Sequence, residues 1–196
     1  MPTATATVAF LLGALVFVVV PGPSVFFIIG RAIALGRRAA LATAAGNMVG
    51  VLALVGAVSL GVGAVIERFA VALLVLKFVG AAYLIWLGVQ AWRHRGRTQD
   101  SAGAVVGGPD GRAFREGVIV GLTNPKAIVF FAAVLPQFVD PAHAGATSQM
   151  LVLGLLFCVL ASGMDALWAI GAGTARDWFA RSPVGSARWA APGAWS

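Results

Sequence analysis

The chain has 196 residues, 60% of them hydrophobic and only 11% charged, with a formal net charge of +7. A soluble domain carries roughly a quarter charged residues and under about half apolar ones. A water-soluble enzyme or nucleic-acid binder is therefore excluded, and an all-α integral membrane protein is expected.

Met1 to Gly30 hold no charged residue, so the basic region of a cleaved signal is missing and the first apolar run reads as a span. Segments of about 17–25 apolar residues cross a bilayer. That length places spans at about Thr5–Ile29, Ala39–Ile66, Phe69–Trp92, Phe114–Val139 and Ser148–Ala175. Beyond Arg188 only Trp189 to Ser196 remain, too few to cross, so no sixth span is expected. Arg31, Arg37 and Arg38 fall between the first two spans. Arg93, Arg95, Arg97, Arg112 and Arg115 fall between the third and fourth, and Arg176, Arg181 and Arg188 follow the fifth. Alternate connections are thus basic, which by the positive-inside bias puts the amino terminus outside. The basic excess is a topology signal and says nothing of nucleic acid.

Residues 93–113 form a linker rich in Arg, Gly, Ser and Asp. They separate a three-span half, residues 1–92, from an incomplete second half, residues 114–182, and residues 183–196 form an atypical tail. Gly13, Pro21, Val25-Phe26-Phe27 and Gly50 recur at one constant offset as Gly117, Pro125, Val129-Phe130-Phe131 and Gly154. Three spans precede the second copy, so the copies would enter the membrane in opposite directions. Inverted repeats with interrupted helices are the architecture of many secondary transporters.

Two interruptions stand out. Pro21-Gly22-Pro23 lies deep in the first apolar run and Asn124-Pro125-Lys126 in the fourth. Proline removes an amide donor and clashes with the preceding turn, and freed carbonyls inside a bilayer need protein or a water-filled cavity to satisfy them. A kink that only improves packing is the plain reading of a lone proline. Two in corresponding places, one beside a lysine, point to a substrate or ion pathway. Intramembrane ionisable groups are costly unless paired or hydrated, and Lys126 and Asp165 both sit well inside spans. They are expected to pair, Lys126 holding an anionic group and Asp165 exchanging a proton, with a static ion pair as the plainer alternative. Asn47 is a candidate polar lining, and Gly46 and Gly50 give a small-xxx-small spacing for close helix approach. Lys77 is read as snorkelling to its interface, and Trp86 and Trp92 as packing or interfacial anchors. Tyr83 and Gln90 are left open. Met150, Cys158 and Met164 read as core or lipid-facing, and Asp140, Pro141 and His143 as an exposed loop. Cys158 is the one cysteine, which permits no internal disulfide and no paired-cysteine zinc or redox site. His94 and His143 are too scattered for a metal cluster. No HExxH pair, Gly-x-Ser-x-Gly elbow or paired intramembrane carboxylates suggest an enzyme, and no cofactor or metal is expected.

The broken helix at Pro21-Gly22-Pro23 with Gly36 in the basic turn resembles the lysine exporter/threonine–homoserine exporter (LysE/RhtB) superfamily. So do Lys77-Phe78-Val79-Gly80-Ala81-Ala82-Tyr83-Leu84 with Gly88, Asn124-Pro125-Lys126 and Leu135-Pro136-Gln137-Phe138. The resemblance covers about Thr7 to Arg181. It implies a bacterial inner-membrane exporter of amino acids or related metabolites, driven by a proton or ion gradient, in a six-helix inverted 3+3 fold that here lacks its last helix. Its cadmium-exporting and thiol-redox relatives are disfavoured by the single cysteine and few histidines. The expected translocation residues are Pro21, Gly22, Pro23, Asn47, Asn124, Pro125, Lys126 and Asp165. The partners are a zwitterionic small molecule, a proton or other coupling ion and the lipid bilayer, with a homo-oligomer allowed. A non-transporting truncated membrane protein or assembly partner is the alternative.

Overall fold

The computed structural model describes residues 2–66, 78, 82, 85, 110–140 and 145–181. Among the described residues the regular elements are all helical: α1 (Ala4–Val19), α2 (Pro23–Leu35), α3 (Arg37–Ile66), α4 (Asp110–Leu122), α5 (Pro125–Ala133), a 3₁₀ turn η1 (Leu135–Phe138) and α6 (Ala146–Arg181). The expected third span lies outside the described residues apart from Phe78, Ala82 and Ile85, which are helical and exposed. Lys77, Tyr83, Trp86, Gln90, Trp92, Pro141, His143, most of the linker and the tail also lie outside them.

Helices α3 and α6 are each long and apolar enough to cross a membrane. The expected first and fourth spans are both broken. The pair α1–α2 bends by 48°, and α4 bends by 44° against α5–η1; each pair taken as one unit is long and apolar enough to cross a membrane. The cause is local chemistry. Thr3 caps α1, its hydroxyl accepting from the Ala6 amide. Pro23 and Pro125 each occupy the first turn of a new helix, where a missing amide costs nothing and the fixed φ suits the start. Asn124 caps α5, its side-chain oxygen accepting from the Lys126 amide at 3.0 Å. Gly36, at φ +90°, closes α2 by donating its amide to the Ala32 carbonyl, and the chain turns straight into α3.

The core is aromatic. Phe10 and Phe17 of α1 stack against Phe130 of α5, and Phe157 of α6 packs against Phe17, Phe130 and Phe131. Leu135, Met150, Leu153 and Cys158 complete this cluster. A second seam is glycine. A Cβ on Gly46 or Gly50 would strike the backbone of α4 at Phe114, Val118 and Leu122, and one on Gly117 or Gly121 would strike α3 at Thr43 and Asn47. The spacing at Gly46 and Gly50 thus does bring helices together, and α4 answers with the same spacing at Gly117 and Gly121. Along this seam residue numbers rise together, so α3 and α4 run parallel.

The two broken pairs run antiparallel. The start of α1, at Thr3, Thr5 and Ala6, faces Gln137 to Asp140, while Phe17 near its end meets Phe130 and Lys126 near the start of α5. In α2, Ser24 meets Asn124 at the end of α4, and Arg31 meets Glu116 earlier in it. One end of the molecule gathers Arg31, Arg38, Asp110, Arg112 and Glu116, with Arg37 beside Gly173 and Arg176 beside Gly36. Five arginines expected in connections are helical: Arg31 belongs to α2, Arg37 and Arg38 to α3, and Arg112 and Arg115 to α4, which begins inside the expected linker. Arg31 is 4% exposed and paired with Glu116, so burial with a partner carboxylate, not solvation in a loop, accommodates its charge.

Candidate functional site

The two breaks meet. Each helix in the bundle interior would bond the carbonyl of one residue to the amide four residues on. Pro21 has no amide, so the Phe17 carbonyl loses its partner, and at Val20 the backbone becomes extended and ends α1. Lys126 crosses from the start of α5 to fill this gap. Its Nζ donates to the carbonyls of Phe17 at 2.8 Å and Val20 at 2.6 Å. The same ammonium lies 4.2 Å from the centroid of the Phe17 ring, a cation–π contact. Its methylene stem runs along Gly22, where a Cβ would come within 2.9 Å of Lys126 Cδ. Close approach, not backbone conformation, therefore favours glycine here, since the φ of −108° at Gly22 suits any residue.

A second bond closes the junction. Asn124 Nδ2 donates to Ser24 Oγ at 2.6 Å, so the cap of α5 is tied to the first turn of α2. Ser24 is buried, Pro21, Gly22, Asn124, Pro125 and Lys126 are half-buried, and Pro23 is exposed. The junction thus collects the amino-terminal ends of α2 and α5 and the carboxyl-terminal end of α1. Helix amino-termini carry partial positive charge and carboxyl-termini partial negative charge. The junction is bipolar.

Asn47 and Asp165 form a separate pair. Asn47 Nδ2 donates to Asp165 Oδ2 at 2.7 Å, joining α3 to α6, and both residues are 6% exposed. Asn47 also packs on Gly121, one turn before Asn124, so the pair lies under the α4 side of the junction. Its Oδ1 is buried without a hydrogen-bond partner. The expected contact between Lys126 and Asp165 does not form: no ion pair joins them, because the lysine is spent on the carbonyls that Pro21 orphans and the aspartate on Asn47.

Sequence reasoning passes over Phe17, Val20, Ser24 and the Arg31–Glu116 pair. Phe17 could have been found by counting four residues back from Pro21 to the carbonyl that loses its donor. Ser24 holds the same place after Pro23 that Lys126 holds after Pro125. The sequence repeat aligns Pro21 with Pro125, whereas in space Pro23 is the counterpart, two residues on. The Arg31–Glu116 pair carries no sequence signal, since it joins residues far apart in the chain. It is bound on its other side by Arg112, whose Nε lies 3.0 Å from Glu116 Oε1, and Arg31 also stacks on Phe27. Among the described residues no group of three or more His, Cys, Asp or Glu side chains is placed to hold a metal ion.

Known proteins resemble this chain in sequence. The chain is 37% identical over 148 residues to an uncharacterised membrane protein of Vibrio cholerae, covering 75% of this chain and 71% of that one. It is 38% identical over 152 residues to a homoserine/homoserine lactone efflux protein of Salmonella typhi, covering 78% and 73%. A leucine efflux protein of an Enterobacter species is 30% identical over 144 residues, covering 74% and 68%. No solved structure matches the chain. The profile of the LysE type translocators matches residues 15–191; with its broken, antiparallel helix pairs, the chain belongs to that family of membrane proteins.

Proposed function

We propose that this protein exports amino acids or related small zwitterionic metabolites across the bacterial inner membrane, by alternating access coupled to a proton or ion gradient. The observation that carries this reading is the bipolar junction. The amino-terminal ends of α2 and α5, with Lys126, suit a carboxylate, and the carbonyl end of α1 suits an ammonium group. An α-amino acid presents both charges a few ångströms apart, and the relatives named as homoserine and leucine efflux proteins favour that class of substrate. In this reading Pro21, Gly22, Pro23, Asn124, Pro125 and Lys126 form the substrate site.

Asp165, held by Asn47, takes up and releases the coupling proton. Protonation removes the carboxylate charge to which Asn47 donates, so α3 and α6 are held less firmly in that state. The antiparallel broken pairs, with residues 1–92 and 114–182 as halves, supply the two elements that open and close at the junction. The arginine-rich end faces the cytoplasm by the positive-inside bias, which leaves the amino terminus outside.

Amino-acid efflux from loaded proteoliposomes tests the reading, with an imposed proton gradient and a panel of amino acids. Gradient-dependent efflux of at least one amino acid is expected from the wild type, and gradient-insensitive efflux from Asp165→Asn. Absence of efflux across the panel would overturn the function. Unchanged gradient dependence in Asp165→Asn would remove that residue from coupling.

A further inference from the structure

Lys126 sits in an unfavourable place for a cation. It occupies the first turn of α5, where the helix end is itself partially positive, and among the described residues no carboxylate pairs with it. Among the described residues its charge is met by two carbonyl dipoles and one aromatic face. An ammonium group has three N–H donors; two are spent on Phe17 and Val20, and the Phe17 ring lies on the flank. The ring is held in turn by Phe130, with centroids 4.1 Å apart, and by Phe157 at 6.1 Å. These acceptors are fixed by the backbone: one exists because Pro21 lacks an amide, the other because α1 ends at Val20. The cradle therefore persists whichever ammonium fills it.

We propose that the Phe17 and Val20 carbonyls with the Phe17 ring are a primary-ammonium subsite, which Lys126 occupies in the empty transporter and yields to the substrate's own ammonium. For the identity of that substrate the proposal rests on the amino-acid reading above. The exchange conserves charge at the junction. The incoming ammonium takes the carbonyls, and the released Lys126 Nζ meets the incoming carboxylate beside the amino-terminal ends of α2 and α5. No ammonium is left without acceptors at any stage, and the lysine gains the counter-charge it lacks in the empty state. Gly22 keeps open the track along which the stem lies, since a Cβ there would abut Lys126 Cδ. The two carbonyls also set selectivity: a quaternary ammonium can face the ring but has no N–H to donate.

The test uses the full chain in lipid nanodiscs and small probes at equal ionic strength. In Lys126→Ala the cradle is vacant, so ethylammonium should raise the melting temperature by several degrees while tetramethylammonium and sodium do not. Wild type, with its own lysine in place, should need a higher ethylammonium concentration for the same shift. Adding Phe17→Leu to Lys126→Ala should weaken the ethylammonium effect roughly two- to fivefold in concentration, the size of a modest cation–π contact. Should Lys126→Ala fail to fold, the wild type provides its own readout: ethylammonium should expel Lys126 and shift the NMR signal of its side-chain ammonium, and tetramethylammonium should not. Equal responses to ethylammonium and tetramethylammonium, or no response in either assay, would overturn the subsite. Neither assay involves transport, so a protein that binds ethylammonium but exports no amino acid would sink the functional reading and leave the subsite standing.

Discussion

Between α3 and α4 the backbones touch through four glycines, whereas α1–α2 and α4–α5 meet through a serine, an asparagine and a lysine. The glycine seam has no side chain to exchange: backbone lies against backbone, and a change of even one carbon must displace a whole helix. The junction of the breaks is held by side-chain hydrogen bonds, each of which a ligand can replace with one of its own. The seam is suited to staying shut and the junction to opening. Variants should therefore rank differently when judged by stability and by export.

The largest effect on stability is expected at the seam. Gly46→Leu would drive its side chain into the α4 backbone at Phe114 and Val118 and should cost about 3 kcal/mol or more. Thermal unfolding in detergent checks this; a variant that melts with the wild type would show that the seam is loose. Next comes Glu116→Gln, which strips the charge facing buried Arg31. The Arg31 side chain is 5% exposed and that of Glu116 29%, so the cost should fall below that of a fully buried pair, at about 2 kcal/mol. Adding Arg31→Gln should recover part of the loss in a double-mutant cycle, and strict additivity would show that the two charges are uncoupled.

The junction should rank lower. Asn124→Ala removes both the α5 cap and the bond to Ser24, for about 1–2 kcal/mol. Ser24→Ala removes one bond and keeps the cap, for about 0.5–1 kcal/mol. Export should follow the reverse order of sensitivity. Asn124→Ala, although folded, should lose far more of its efflux rate than its melting temperature suggests, measured on proteoliposomes with matched protein content. A junction variant that loses efflux only in proportion to its folded fraction would erase the distinction between the two regions.

Much of this was legible in the residues. Apolar run length located the spans that the described residues cover, and Pro21-Gly22-Pro23 and Asn124-Pro125-Lys126 located both breaks, because proline acts on its own backbone. The Gly46 and Gly50 spacing announced a close contact but not its partner. Lys126 and Asp165 were identifiable as the costly intramembrane charges, yet their pairing was not. Charge complementarity favours a lysine–aspartate bond, and that argument omits the acceptors that proline creates on the backbone. Once Phe17 and Val20 offer carbonyls to Lys126, Asp165 is left to Asn47. Arg31 reads as a loop residue by its place after an apolar run, and only the approach of α4 makes its burial with Glu116 affordable.

By itself the sequence determined the membrane class, the position of each break and the groups that cannot sit idle in hydrocarbon. These follow from hydropathy, from the missing amide of proline and from the cost of burying charge, all of which act within a few residues. The tertiary structure decided that the breaks lie against each other in antiparallel spans, that Pro23 rather than Pro21 is the counterpart of Pro125, and that Lys126 caps α1. Those outcomes depend on which helices pack together, and in this chain the glycine seam and the phenylalanine core fix that packing across long stretches of sequence.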